Sequence, residues 1–147
     1  MASTCKAAKT FCELSGWKMT NLRLQKLLYI AHMCCLGQTG NPLIDGRFEA
    51  WDFGPVEPTL YHKLKAFGNK EIPDIFACSS LPAASVEREI VASVHEQLKE
   101  LSTSRLVAIT HWDDGAWAKY YAPNRSGIEI PNNDICYEYA KRACANR

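Results

Sequence analysis

Residues 19–68, MTNLRLQKLLYIAHMCCLGQTGNPLIDGRFEAWDFGPVEPTLYHKLKAFG, decide the reading of this chain. Thr20 or Asn21 offers a side-chain oxygen to cap a helix opening there. Leu24, Leu27, Leu28, Ala31 and Cys35 then recur at three- and four-residue steps, and Leu22, Ile30 and Cys34 widen the stripe. Arg23, Gln25, Lys26 and His32 are the polar positions, and Gly37 and Gly40 end the pattern. So wide an apolar face places this helix at the core. Asp45-Gly46 between Pro42-Leu43-Ile44 and Arg47-Phe48-Glu49-Ala50-Trp51 reads as a hairpin turn, because both residues tolerate positive φ. The strand alternation then puts Glu49, Trp51 and Phe53 on one face and Phe48 and Ala50 on the other. Gly54-Pro55 turns the chain, and Pro58 starts a helix that stops at Gly68.

Working outward, residues 3–15 carry Ala7, Ala8, Phe11, Cys12 and Leu14 at helical spacing, with Gly16 as the stop. Residues 69–82 hold two prolines and no sustained period, so they read as a connection. Val86, Ile90, Val94, Leu98 and Leu101 stripe a helix over about 83–101. Ser102 or Thr103 caps another carrying Leu106, Val107 and Ile109. Ile128 and Ile130 alternate as a short strand, and residues 134–145 close the chain as a helix with Ile135 and Tyr139 inward. The expected fold is mainly α: one compact multi-helix domain over 1–147, with a small β-hairpin at about 42–53 and a short strand near 128–130.

Composition narrows the function classes. The 147 residues are 47% hydrophobic and 22% charged, an ordinary globular balance. A formal net charge of +1 leaves no electrostatic footprint for nucleic acid. No apolar run is long enough to span a membrane, and residues 1–12 lack a signal-peptide core, so a cytoplasmic protein is expected. Seven cysteines (Cys5, Cys12, Cys34, Cys35, Cys78, Cys136, Cys144) form no C-x-x-C pair. They read as small buried hydrophobes and incidental thiols rather than metal ligands. His111 beside Asp113 and Asp114 could join a cysteine in a catalytic arrangement, but no nucleophile signature surrounds any cysteine. The chain also lacks a phosphate-binding glycine loop, a dinucleotide fingerprint and an H-E-x-x-H zinc motif. A cysteine- or metal-dependent hydrolase therefore rests on residue counts alone. No catalytic residue, metal, cofactor or small-molecule substrate is expected.

The aromatic residues carry more information. Trp51, Phe53, Tyr61, His111, Trp112 and Trp117 fall in the two segments whose large side chains must either close the core or anchor a partner, since Trp and Tyr are enriched at binding hot spots. These six are the candidate partner-binding residues.

At LRLQKLLYIAH, then G-N-P-L, then EAWDFGPVEPTLYHKLKAFG, the chain resembles the Panacea domain family of SocA-like antitoxins and related phage-associated proteins. The matching blocks are Leu22–Tyr29, Ala50–Val56 and Pro58–Tyr61. Weaker matches follow at Leu106–His111, Ala116-Trp117 and Ile130–Ile135. Ala116 departs from the pattern, where members often carry proline. On this resemblance Leu24, Gln25, Lys26, Leu27, Tyr29, Gly54, Pro55 and Pro58 are structural motif positions. The resemblance implies a mainly helical domain that neutralises a cognate protein toxin by direct binding. Its alternatives are an adaptor that delivers the toxin to a protease, or a phage-associated regulatory protein without a toxin partner.

Overall fold

Thr20 accepts the Arg23 amide with its hydroxyl, and from that cap α2 runs from Asn21 to Thr39. The helix ends at Gly40, whose φ of 77° favours glycine. The computed structural model describes residues 1–145. Around α2 lie α1 (Thr4–Leu14), α4 (Val86–Leu98), α5 (Thr103–Thr110) and α7 (Asn132–Ala145). The chain also forms β1 (Phe48–Trp51), β2 (Gly54–Val56), α3 (Pro58–Leu64), α6 (Ala116–Tyr120) and β3 (Glu129–Ile130). A 3-10 turn, Lys65–Phe67, extends α3. The fold is mainly helical, with a three-stranded antiparallel sheet in the order β2-β1-β3.

Enclosure explains how so short a chain forms a dry core. Leu24, Leu27, Leu28, Tyr29, Ala31 and Met33 are buried along α2. Removing each larger apolar side chain from water contributes roughly 1.5–3 kcal/mol. Gly37 lies inside α2 rather than ending it, and its lack of a β-carbon leaves the space that the Tyr139 ring of α7 fills. The polar positions of α2 are not its wet side: Gln25, Lys26 and His32 are buried as well. His32 is held between Asn132 Oδ1, 2.9 Å from its Nε2, and the Ile44 amide, which donates to its Nδ1 at 3.4 Å. Accepting at Nδ1 requires the neutral ring, and burial lowers its pKa accordingly.

The hairpin turn sits further along than Asp45-Gly46. β1 pairs with β2 across Asp52-Phe53, with Trp51 opposite Gly54, and the strand at residues 129–130 adds to the other edge of β1. Asp45 is occupied elsewhere. Its carboxylate accepts both the Thr4 amide and the Thr4 hydroxyl, and its amide donates to the Ala2 carbonyl. Residues 43–45 therefore pair with the N-terminus, where Ala2 and Ile44 form a parallel bridge. The alternation along β1 is as expected at Phe48 and Ala50, both fully buried.

Of three further expectations, two change and one, the irregular connection after residue 68, is kept. Val86 begins α4 but is 51% exposed, and Val91 takes its inward place. The segment from 69 to 85 is irregular but anchored, with Ile72, Phe76 and Leu81 buried. Cys5 and Cys78 are joined by a disulfide across 73 residues, with α-carbons 6.4 Å apart, so these two are not incidental thiols. Cys12 fits the packing reading: burial pushes its thiol up to about 12, which leaves it unreactive. Among the described residues no helix is long and apolar enough to cross a membrane.

Candidate partner-docking corner

Two buried polar seams hold the turn that carries Phe53. The first joins α2 to the loop between β2 and α3. Gln25 Oε1 accepts the Glu57 amide at 2.8 Å, and Gln25 Nε2 donates to the Glu57 carbonyl at 3.4 Å. Lys26 Nζ donates to the Pro55 carbonyl at 2.8 Å. Glu57 Oε2 in turn accepts the Leu60 amide at 2.6 Å and caps α3, with Pro58 in its first turn. Gly54 has φ 108°, and a β-carbon there would come within 2.9 Å of Lys26 Nζ and 3.0 Å of Thr110 Oγ1. A side chain at Gly54 is thus excluded by both conformation and space. Lys26 is fully buried and has no ion-pair partner among the described residues. Burial lowers its pKa from 10.5 to about 7, because charge is costly in so dry a place.

The second seam centres on Glu138 of α7. Its Oε1 accepts the Tyr29 hydroxyl at 2.7 Å and the Ala116 amide at 2.9 Å. Its Oε2 accepts from Arg142 Nε at 2.8 Å, and Arg142 donates on to the Ile109 carbonyl at 2.6 Å. Trp112 covers the Arg142 guanidinium, 4.6 Å from its ring centre. One carboxylate therefore binds α2, α7 and the entry to α6 together. Burial raises the Tyr29 pKa well above its ordinary value, with the Glu138 charge adding to the shift.

Above these seams stands the corner itself. Trp117 Nε1 donates to the Trp51 carbonyl at 2.7 Å, and the Tyr121 hydroxyl donates to Asp52 Oδ1 at 2.5 Å. His111, Trp117 and Tyr121 form a continuous stack, with centroids 4.1 and 4.6 Å apart. On the other side Trp51 meets Tyr61 edge to face at 4.8 Å and donates its indole N–H to Glu49 at 3.0 Å. Both ends of the Asp52-Phe53 turn are therefore tied down, yet Phe53 is 67% exposed. Beside it opens a cleft of about 420 Å³ lined by Leu22, Trp51, Phe53, Val56, Tyr61 and Lys65.

Of the six candidate partner-binding residues, Trp51, Phe53 and Tyr61 share this cleft. His111 and Trp117 buttress the turn from behind. Trp112 lies apart, over Arg142. Leu22, read from sequence as widening the buried stripe, is instead 39% exposed on the cleft wall. Its place at the margin of that stripe was the available signal. Asn21 Oδ1 and His111 Nε2 are buried without a hydrogen-bond partner among the described residues. Burial lowers the His111 pKa, with the Lys26 charge adding to the effect. Among the described residues no cluster of His, Cys, Asp and Glu has the geometry to hold a metal ion.

Two comparisons bear on this arrangement. The family described as Antitoxin SocA-like, Panacea domain matches residues 24–118, which takes in α2 from Leu24 onward, both seams' α2 residues and the corner up to the first turn of α6. Antitoxin SocA of Caulobacter vibrioides (strain NA1000 / CB15N) is 39% identical over 109 residues, which are 67% of this chain and 58% of that protein. The chain thus matches a little over half the length of this curated relative. No solved structure matches it significantly.

Proposed function

The chain belongs to the SocA-like antitoxin family of Panacea domains, and from that membership we propose that it neutralises a cognate protein toxin by direct binding through the Phe53 corner. The observation carrying the choice of surface is Phe53, a large exposed apolar side chain on a turn tied at Trp51 and Asp52 and held beyond it by the Gly54 strand pair and the Lys26–Pro55 bond. An anchor that is already ordered loses little conformational freedom when a partner covers it. Leu22, Trp51 and Tyr61 would surround it with apolar surface, while Asp52 and Lys65 at the margin fix orientation by charge. In this reading His111 and Trp117 are supports, and residues 1–147 act as one domain. The role is binding rather than catalysis, with no cofactor involved.

Co-expression of this chain with the product of its neighbouring gene tests the proposal. We expect growth rescue together with a purifiable complex and an unchanged toxin half-life. A neighbour that is harmless alone and forms no complex overturns the antitoxin reading. Rescue accompanied by a shortened toxin half-life replaces direct neutralisation with delivery to a protease.

A further inference from the structure

The Cys5–Cys78 pair lies away from the Phe53 corner, and nothing in the proposed binding role uses it. Cys5 stands in the first turn of α1, just after the Ser3 cap, while Cys78 lies in the irregular segment between Phe76 and Leu81. A second cleft, of about 380 Å³, opens beside Cys5 and is walled by Thr4, Asp45, Glu57, Lys63 and Phe76. Cys5 itself is half-buried and lines this cleft. Lys9, one helical turn further along α1, donates to the Cys78 carbonyl at 3.1 Å and stands 3.7 Å from Asp74. A Cys5 thiolate released here meets the N-terminal end of α1, which favours the charged form.

The rest of the segment shows what the bond controls. Ile72 is tied by its amide to the Met19 carbonyl, and Leu81 by its amide to Thr10 Oγ1 at 2.9 Å. Buried Ile72, Phe76 and Leu81 anchor the segment by their side chains. Between Phe76 and Leu81 the attachments are the disulfide, the Lys9 bond and the contact of Ser80 with Glu13. Breaking the disulfide would leave residues 77–80 held by the part-buried Lys9 bond, the exposed Ser80–Glu13 contact and the packing of Cys78 against the core.

We infer that Cys5 and Cys78 form a reversible thiol–disulfide exchange site for low-molecular-weight thiols and disulfides, and that the bond clips residues 77–80 onto α1. In the reducing direction a thiolate RS⁻ attacks Cys5 Sγ, and Cys78 leaves as the thiolate and takes up a proton. A second RS⁻ then attacks the outer sulfur of the Cys5–S–S–R mixed disulfide, which releases RSSR and the Cys5 thiolate. The protein gains two electrons and two protons, and two RSH become one RSSR. Oxidation is the reverse, with RSSR as the oxidant.

The test equilibrates the full chain with reduced and oxidised glutathione at a series of ratios, traps free thiols by alkylation and maps the peptides. A peptide linking Cys5 to Cys78 should grow with the oxidised fraction and vanish under reduced glutathione. In Cys78→Ser the glutathione adduct should form on Cys5. Amide exchange at residues 77–80 should be at least about tenfold faster in the reduced protein, with Leu27 and Leu28 in α2 unchanged. No 5–78 linkage at any ratio, or adducts confined to other cysteines, overturns the exchange site. Equal exchange rates in the two forms, or a difference spread through α2 as well, overturns the clip.

Discussion

The interior of α2 and the tip of the β1–β2 turn both belong to the stretch that identifies the chain, yet they follow opposite rules. Along α2, the residues written in polar letters, Gln25, Lys26 and His32, are buried and spend their hydrogen bonds on other segments, on backbone groups in every case but the His32–Asn132 side-chain bond. At the turn, the apolar Phe53 stands in solvent. The polar residues are the structural ones, and the apolar one is the candidate for contact with a partner. Side-chain polarity alone would have assigned the roles the other way round.

Breaking the interior should do the most damage. In Glu138→Ala the Tyr29 hydroxyl and the Ala116 amide lose their acceptor, and the partly buried Arg142 loses its carboxylate. Uncompensated buried partners of this kind cost about 3–5 kcal/mol, so chemical denaturation should show a loss of that size. A loss below about 1 kcal/mol would mean that the seam around Glu138 does not hold α7 to α2.

Lys26 sharpens the comparison through pH. Its folded-state pKa is lowered to about 7, against 10.5 for a free lysine side chain. Below about 7 both folded and unfolded chains carry the proton, and the folded state bears the full cost of a buried charge. Between about 7 and 10.5 only the unfolded chain is protonated, so stability climbs with pH, and above 10.5 the gain levels off. Between pH 7 and pH 10 wild type should gain about 2–4 kcal/mol relative to Lys26→Met, a difference that cancels the titration of tyrosines common to both. Parallel pH profiles for the two proteins would show that Lys26 is solvated.

At the other pole, Phe53→Ala should leave stability within about 0.5 kcal/mol of wild type, because the side chain it removes is mostly in water.

The sequence showed those features that depend on near neighbours along the chain. Periodicity placed α1, α2, α4 and the last helix, and alternation placed Phe48 and Ala50 inward, because each follows from spacing along one element. The hairpin turn was misplaced because its signal at Asp45-Gly46 is local, whereas the outcome depends on distant partners: Ala2 and Thr4 engage Asp45 first. The Cys5–Cys78 bond spans 73 residues and carries no spacing cue. At the corner, the aromatic residues were recognisable as a group, but nothing in their order separates Trp51 and Trp117, which hydrogen-bond inward, from Phe53, which has no polar atom to tie it down. Leu22 and Lys65 joined the cleft only once α3 had packed beside the start of α2.

The most direct test is the affinity of Phe53→Ala for the protein encoded by the neighbouring gene, measured by titration calorimetry on samples whose melting temperatures match wild type. The corner account predicts binding at least about tenfold weaker, as expected when a hot-spot aromatic is truncated. Unchanged affinity in a variant that is folded like wild type would contradict it and move the interface elsewhere.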